Sequence, residues 1–309
     1  CAKSFGYLLH KQTKSRLTPL MIAIKYKSND IMNHYIDKNL VYESEVRFAI
    51  KNQMPLGMLI AMFNVSTYDI KYYMKVIIEN YKQIPALITY LMEHKNEHRI
   101  LGFNINFLIN ETESLLHLAC ELSSANIIKP LLDNCDSNLL NRKNGDGYTP
   151  WMLALIHGKL RDFNYMLQKG FDMKVESDRG NGLVHFLALY TNSDFFGYML
   201  KKYTFNLNEP GQGFNRPIHW ALKYNTPKIS ELILDHDIDI NFEDKPIEFI
   251  AIKYNKSIDL CLKILETRYR SDREYKGKRL IHQAGMYGNE EIIRFLIDKG
   301  VDLETVTEY

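Results

Sequence analysis

The amino-acid sequence predicts an all-α solenoid of antiparallel helix pairs stacked side by side, with hairpin or loop fingers between the pairs. Three observations carry this prediction. Small apolar residues recur about every 33 residues, Thr-Pro pairs stand where helices would begin, and glycines stand where helices would end. A fixed period of roughly 20 to 50 residues is the mark of stacked repeats, in which each unit buries its apolar face against its neighbours.

Whole-chain composition favours a folded protein without a strong electrostatic bias. Of 309 residues, 46% are hydrophobic and 25% are charged, and the formal net charge is only +2. We therefore expect neither nucleic acid nor an anionic membrane as a partner. The four cysteines, Cys1, Cys120, Cys135 and Cys261, show no CxxC spacing, which argues against a disulfide framework or a zinc cage and favours a cytoplasmic or cytosol-facing setting. The longest apolar stretch, residues 55–65, is shorter than the roughly 20 residues of a membrane span.

The N-terminal third of the chain contains one clear helix start and a less regular region. Thr18 is suited to cap a helix, and Pro19 is suited to its first position, where no backbone hydrogen bond is lost. Residues 1–40 are therefore predicted to hold a first repeat-like unit. Residues 41–111 contain apolar runs at 46–63 and 72–92, but their spacing drifts, so they are predicted to be either degenerate helical repeats or an insertion.

From residue 112 onward the period becomes regular. One small or apolar position recurs at spacings of 35, 33, 34, 30 and 33 residues, at Ala119, Ala154, Leu187, Ala221, Ala251 and Ala284. Thr149 and Pro150 repeat the helix start, Phe163 and Met166 give a second helix its apolar stripe, and Gly170 is placed to end it. Residues 112–309 are thus predicted to form about six helix pairs, in an array that continues beyond residue 309.

Short motifs at these positions resemble those of ankyrin repeats. Residues 149–154, 216–221 and 279–284 resemble the T-P-L-H-x-A signature, as do residues 18–23, and residues 170–173 occupy the place of G-A-D-V-N. The resemblance is clearest over residues 112–309 and 16–40. It implies stacked helix pairs that bind another protein and perform no chemistry.

Histidines follow the same period. They lie at or near one column, as His117, His185, His219 and His282. In ankyrin repeats this histidine resembles a structural group bonded to neighbouring loop backbone, whereas a catalytic histidine needs no period. His94 and His98 could share a helix face as metal ligands, but no further ligand accompanies them. Since no hydrolase, kinase or phosphate-loop signature is present either, we expect no enzyme activity, no metal and no cofactor.

Tyrosine recurs three residues beyond the small-residue column. It occurs as Tyr26, Tyr190, Tyr224, Tyr254 and Tyr287, while His157 and Leu122 take the two remaining places. Stacked repeats would align these side chains into a ladder towards the concave face or its edge. Each ring would then either pack on the next repeat and seal the seam, or offer a partner the rigid contact area typical of binding hot spots.

The predicted fingers carry charges of both signs around Tyr148, Arg179 and Arg273. Their other members are Lys143, Asp146, Glu176, Asp178, Glu243, Asp244, Asp272 and Glu274. A mixed-charge edge suits a protein partner better than a phosphate backbone, although a merely solvated face is the alternative. The predicted partner-binding residues are therefore Tyr190, Tyr224, Tyr254, Tyr287, His157, Tyr148, Arg179 and Arg273.

Taken with the resemblance, these residues predict a non-catalytic scaffold that binds a partner protein over its concave face and fingers. Three other settings stay open. The array could be the cytosolic segment of a channel of the transient-receptor-potential type, part of a cytoskeleton-associated protein, or the targeting module of an enzyme whose catalytic part lies outside this chain. The sequence specifies neither the identity of the partner nor the oligomeric state.

Overall fold

The computed structural model describes residues 17–66, 70–80, 84–94, 106, 108–109, 111–122, 127–224, 227–236, 238, 245–254, 257–268, 270, 273–287 and 289–306. The chain divides into two compact units, Cys1–Phe171 and Asp172–Tyr309. Each unit is a stack of antiparallel helix pairs, so the predicted all-α repeat fold is confirmed.

The described part of the first unit contains five helix pairs. Their bounds are α1 (Pro19–Tyr26) and α2 (Asn29–Asp37), α3 (Glu43–Lys51) and α4 (Leu56–Val65), α5 (Ile70–Asn80) and α6 (Ile84–Glu93), α7 (Leu115–Glu121) and α8 (Ile128–Asn134), and α9 (Pro150–Ile156) and α10 (Leu160–Lys169). A short 3-10 helix, Ser137–Leu140, follows α8.

In the second unit the described residues form four further pairs and one small hairpin. The bounds are α11 (Leu183–Tyr190) and α12 (Ser193–Lys202), α13 (Pro217–Tyr224) and α14 (Pro227–Leu234), α15 (Ile247–Tyr254) and α16 (Ile258–Arg268), and α17 (Leu280–Tyr287) and α18 (Glu290–Asp298). The 3-10 turn Gln212–Phe214 precedes α13, and the strands β1 (Glu274–Tyr275) and β2 (Lys278–Arg279) precede α17.

Helices stack in two rows within each unit. The first helix of a pair packs on the first helix of the next pair, as in the row α11, α13, α15, α17. Second helices pack likewise, for example α12 on α14 and α16 on α18. The small-residue column lies where first helices meet, and Leu187, Ala221, Ala251 and Ala284 are all buried there. Small side chains permit this close approach of neighbouring helices.

Helix ends follow the predicted chemistry. The Thr18 and Thr149 hydroxyls accept hydrogen bonds from backbone N–H groups three residues on, at 3.2 and 3.4 Å, and a proline occupies the first helical position after each. Gly170 ends α10 with φ of 82°, a left-handed conformation that a side chain would strain. The Thr-Pro starts and this glycine stop are therefore confirmed.

The region where the sequence period drifts is also helical. Helices α3 to α6 bury a continuous apolar core that includes Val46, Leu59 and Ile77. The hydroxyls of Ser66 and Tyr73 are bonded to each other at 2.8 Å inside this core, which satisfies two buried polar groups. Helix α3 begins after Tyr42 and α4 after Pro55, and neither start carries a side-chain cap.

Between the pairs, the chain makes short turns at a regular interval. Backbone hydrogen bonds close a five-residue turn at 144–148, at 177–181 and at 211–215. Before α17 the turn becomes a two-stranded hairpin whose tip, Lys276 and Gly277, has φ of 52° and 70°. Such left-handed tips match the twist of antiparallel strands. Both kinds of predicted finger, loop and hairpin, are thus present.

Candidate partner-binding surface

The four periodic histidines hold the fingers in place. Each ring accepts a hydrogen bond at Nδ1 from the backbone N–H that starts its own helix, at 2.9 to 3.2 Å. Each Nε2 donates to a carbonyl in the finger that follows, at 2.8 to 2.9 Å: Arg142, Glu209, Lys245 and Thr305 accept in turn from His117, His185, His219 and His282. The structural role implied by the resemblance is confirmed.

These bonds require a neutral imidazole, because one nitrogen must accept and the other must donate. Burial lowers the pKa of His117 to about 4, and burial also lowers the pKa of His185. A protonated ring would lose its acceptor nitrogen within an apolar surrounding. The side chains are therefore occupied by backbone groups and are not poised for proton transfer to a substrate.

Tyrosines three residues after the small column are partly open to solvent. Tyr190, Tyr224 and Tyr287 are 38%, 56% and 41% exposed, and Tyr254 is half-buried. The Tyr190 ring stacks on Phe186, and that of Tyr224 on Trp220 at 5.6 Å, one helical turn earlier in the same helix. The rings of Tyr190 and Tyr224 are thus fixed by stacking while part of each stays accessible to solvent. Aromatic side chains of this kind are typical of binding hot spots.

Two lysines, Lys223 and Lys253, lie against these tyrosines on successive first helices. The ammonium group of Lys223 lies 4.5 Å from the ring centre of Tyr224 and 5.4 Å from that of Tyr254 in the next repeat. The ammonium group of Lys253 lies 4.8 Å from the ring centre of Tyr254. The hydrogen bond from Lys253 and the charges of Lys253, Lys223 and Lys245 lower the pKa of the Tyr254 phenol. The local potential at this ladder is therefore positive.

Beside the ladder lies a groove of about 330 Å³ between the first helices and the fingers of the second unit. Its aromatic walls are Trp220, Phe249, Tyr254, Tyr275 and Tyr287. Five cations also line it, namely Lys223, Lys245, Lys253, Lys276 and Lys278. No aspartate or glutamate occurs among the described residues of the lining. The groove is thus both cationic and aromatic.

Finger residues predicted to bind a partner have unequal surroundings. Arg179 is exposed, and Tyr148 is half-buried in the turn held by the Asn144 side chain. The sequence placed Arg273 on an open finger edge, but its guanidinium is bonded at 2.8 Å to the carboxylate of Glu248, and the two side chains are only 10% and 0% exposed. Arg273 therefore anchors its finger to α15 and presents little surface to a partner.

The predicted residues do not form one cluster. Within the second unit, Tyr254 and Tyr287 meet at the groove, and Tyr224 joins them through Lys223. Tyr190 stands on α11 outside the groove lining. His157, exposed at the end of α9, and Tyr148 belong to the first unit.

Comparison with known families agrees with this geometry. A family model described as ankyrin repeats, in three copies, matches residues 74–178. Residues 74–178 of this chain therefore match the ankyrin-repeat family. The match begins inside α5, so it includes part of the region in which the repeat signature is hardest to align. Ankyrin repeats are protein–protein interaction modules without catalytic function.

Relatives of the array are similar only over part of their length. A phosphocholine transferase, AnkX, of Legionella pneumophila is 24% identical over 48% of this chain and 16% of its own length. A putative ankyrin repeat protein, L371, of Acanthamoeba polyphaga mimivirus is 20% identical over 65% of the chain and 27% of its own length. The human transient receptor potential cation channel subfamily A member 1 is 22% identical over 52% of the chain and 15% of its own length. The chain thus spans about a quarter or less of these relatives.

The described residues show neither a metal-binding cluster nor a membrane-spanning helix. They contain no group of three or more His, Cys, Asp or Glu side chains that could hold a metal ion. His94 is bonded through Nδ1 to the carbonyl of Tyr90, and His98 lies outside the described residues. None of the described helices has the length and apolar character needed to cross a membrane.

Sequence reasoning missed the lysines of the ladder, although a signal for them exists. Residues 23–26 and 251–254 both read Ala-Ile-Lys-Tyr, and residues 221–224 read Ala-Leu-Lys-Tyr. The lysine precedes the tyrosine each time, so both recur with the repeat. A lysine near a helix end is ordinarily a solvated residue, and only the stacking of helices shows that the Lys223 ammonium group lies over the Tyr254 ring of the next repeat.

Proposed function

We propose that this ankyrin array is a non-catalytic scaffold that binds a partner protein over the first-helix row and fingers of residues 172–309. The observation that carries the proposal is the column of half-exposed tyrosines beside the groove. The rings of Tyr190 and Tyr224 are held in place by stacking on Phe186 and Trp220, so binding costs these two side chains little conformational entropy. A purely structural seam would bury them instead.

Photo-crosslinking tests this proposal at single positions. Tyr224, 56% exposed on the first-helix row, is replaced by p-benzoylphenylalanine in the full chain. The matched control carries the same group at Tyr198, which is 46% exposed on the second helix α12. In a lysate of the source organism we expect discrete crosslinked proteins from position 224 and none from position 198. Equal crosslinking at both positions would refute a dedicated face.

Alanine substitution gives the complementary measurement. The variant Tyr190→Ala/Tyr224→Ala/Tyr254→Ala/Tyr287→Ala is expected to lose at least tenfold in recovery of the crosslinked protein, since hot-spot aromatics each contribute about 2 kcal/mol or more. Circular dichroism establishes that it stays folded. The control Tyr165→Ala/Tyr198→Ala removes two tyrosines of second helices and should recover the partner normally. Undiminished recovery by the folded quadruple variant would exclude the tyrosine column as the binding surface.

The array could also serve as the recognition segment of a larger channel, cytoskeletal protein or enzyme. The relatives favour this alternative, because the match occupies only 15% of a cation channel and 16% of a phosphocholine transferase. Within it, the ankyrin repeats would select the partner and chemistry would reside elsewhere. The complete coding sequence around these residues decides between the two settings.

A cytosol-facing location is also part of the proposal. Cys120, Cys135 and Cys261 carry free thiols, and burial raises the pKa of Cys261 to about 11. Buried thiols kept reduced are typical of a reducing compartment. Localisation of the tagged full chain by fluorescence microscopy tests this placement.

A further inference from the structure

The groove lysines carry positive charge that the described residues do not neutralise. Lys223, Lys253, Lys276 and Lys278 form no ion pair with a carboxylate of the described chain; Lys223 and Lys253 lie over tyrosine rings instead. The net charge of the whole chain is only +2, so this concentration of cations is a local feature. A ligand that supplied carboxylates would gain charge-assisted hydrogen bonds without first breaking an ion pair between these four lysines and the described residues.

We propose that this groove binds an acidic, extended peptide segment in which apolar side chains accompany the carboxylates. The inference rests on the proposed function, since it assigns the chemistry of the partner to the same surface. The carboxylates would meet Lys223, Lys253 and Lys276, and the apolar side chains would pack on the partly exposed rings of Trp220 and Tyr275. The lysine ammonium groups set the sign of the partner's charge, and the aromatic walls supply the contact area.

Geometry fixes the length of the segment. The groove runs along α13, α15 and α17, which are successive members of the first-helix row. Packed helix axes lie about 8 to 10 Å apart, so three helices span roughly 20 Å. An extended peptide rises about 3.3 Å per residue, and roughly six residues therefore cover this distance.

A peptide fits the groove better than a phosphate polymer or a lipid surface. Arginine, which binds phosphate groups through two parallel hydrogen bonds, is absent from the described lining. A bilayer or a duplex would need a broad, open cationic face, whereas these lysines converge on a groove of about 330 Å³ walled by aromatic rings. Side chains of a single extended chain can enter such a space.

Fluorescence anisotropy with defined probes tests the inference on the full chain. The probe is a fluorescein-labelled decapeptide of alternating glutamate and leucine, compared with the same peptide in which glutamine replaces glutamate. The variant Lys223→Glu/Lys253→Glu reverses two exposed groove charges. The control Lys201→Glu/Lys228→Glu reverses two exposed lysines of the second helices α12 and α14, outside the groove lining. Circular dichroism checks that both variants fold.

We expect the acidic peptide to bind the wild-type chain at least tenfold more tightly than its glutamine version. The groove variant should weaken binding about tenfold or more, the control less than about twofold, and raising salt from about 50 to 500 mM should weaken binding about tenfold. Equal binding of both peptides, no binding of either, or an unaffected groove variant would overturn the inference. Tighter binding of a labelled oligo-uridine or of phosphatidylserine vesicles than of the acidic peptide would also overturn it, in favour of a phosphate ligand.

This experiment is separable from the crosslinking of the proposed function. A partner that crosslinks at position 224 and is recovered unchanged by Lys223→Glu/Lys253→Glu would leave the scaffold proposal standing and would contradict an acidic ligand. Peptide binding with the expected charge dependence, in the absence of any crosslinked partner, would establish the groove chemistry and contradict the wider tyrosine surface.

Discussion

At the scale of single residues, the histidine column shows how a reactive side chain can be wholly structural. His117 is 0% exposed and bonds to the backbone on both sides, through Ser114 N–H and the Arg142 carbonyl. The two partners lie in different segments, so the ring ties a helix start to the finger that follows. Removing it leaves the buried Ser114 N–H and the Arg142 carbonyl without this hydrogen-bond partner.

Replacing this histidine should therefore destabilise the fold. We expect His117→Ala to lower the free energy of unfolding by about 2 to 4 kcal/mol, because a cavity forms and two hydrogen bonds are lost. Urea unfolding followed by circular dichroism measures the change. His157→Ala is the matched control: this histidine is exposed at a helix end, and its removal should change stability by less than about 0.5 kcal/mol. Similar losses in both variants would contradict the assigned bonds.

Stability should also depend on pH in a direction set by this group. The ordinary histidine pKa is 6.5, and burial lowers the pKa of His117 to about 4 in the folded chain. Above pH 6.5 the ring is neutral in both states and its contribution is complete. As pH falls from 6.5 towards 4 the unfolded chain takes up a proton that the folded chain does not, so the free energy of unfolding decreases, by up to roughly 3 kcal/mol.

Urea titrations between about pH 7.5 and pH 4.5 check this dependence. His117→Gln should give a shallower decline than the wild-type chain, since glutamine does not titrate. His157→Gln should follow the wild-type curve. A decline of equal slope in wild type and His117→Gln would show that other groups cause the acid sensitivity.

At the scale of elements, the β1–β2 finger is fixed by a buried ion pair. Arg273, just before β1, donates to Glu248 in the first turn of α15 at 2.8 Å. The Glu248 carboxylate is fully buried, and the Arg273 guanidinium provides the opposite charge that stabilises it there. The finger is thereby held against the helix row that carries the groove.

Breaking this pair should cost more than a surface substitution. We expect Arg273→Ala to lower the free energy of unfolding by about 3 kcal/mol, because a buried carboxylate loses its counter-charge. The double variant Arg273→Ala/Glu248→Leu removes both charges and should recover at least half of the loss. Arg179→Ala, at an exposed finger position, serves as the control and should be nearly neutral in thermal unfolding. No recovery in the double variant would contradict the pairing argument.

Helices with polar start signals were predictable, and those without them were not. Thr18 and Thr149 fix where α1 and α9 begin, since a hydroxyl cap followed by proline is compatible with few other structures. Helices α3 and α4 start after Tyr42 and Pro55 with no side-chain cap. Their apolar runs therefore indicated helices but not the residues at which those helices begin. The division of the chain into 1–40, 41–111 and 112–309 stays a prediction.

At the scale of the whole molecule, the chain consists of two compact units with five and four described helix pairs. A repeat array gains its stability from interfaces between neighbouring pairs, so several pairs together can fold where one cannot. Within Asp172–Tyr309, three successive interfaces join α11, α13, α15 and α17. At least three stacked repeats are needed for stability, and the described part of this unit contains four helix pairs.

Residues 172–309 produced alone should therefore fold, whereas one pair should not. We expect a helical circular dichroism spectrum and a cooperative urea transition from the larger fragment. A peptide covering only residues 216–236, the α13–α14 pair, should give the spectrum of an unfolded chain. An unfolded 172–309 fragment would show that its stability depends on the preceding residues.

The candidate site was predictable only in part, for reasons of geometry. A tyrosine column follows from the period alone, because every repeat places equivalent residues in line. The groove depends on how lysines of one repeat approach rings of the next and on the finger hairpin at Lys276, and these relations exist only once helices are stacked. For Arg273, charge suggested exposure, but its buried partner lies 25 residues earlier in the chain.

The histidine bond to a main-chain carbonyl has a consequence for how such arrays change over generations. The accepting carbonyls belong to Arg142, Glu209, Lys245 and Thr305, whose side chains include basic, acidic and neutral groups. A carbonyl is common to all amino acids, so the anchorage of a finger survives replacement of the side chain at that position. Finger side chains can therefore change and bind different partners, whereas replacement of the histidines themselves would break the bonds that hold the fingers.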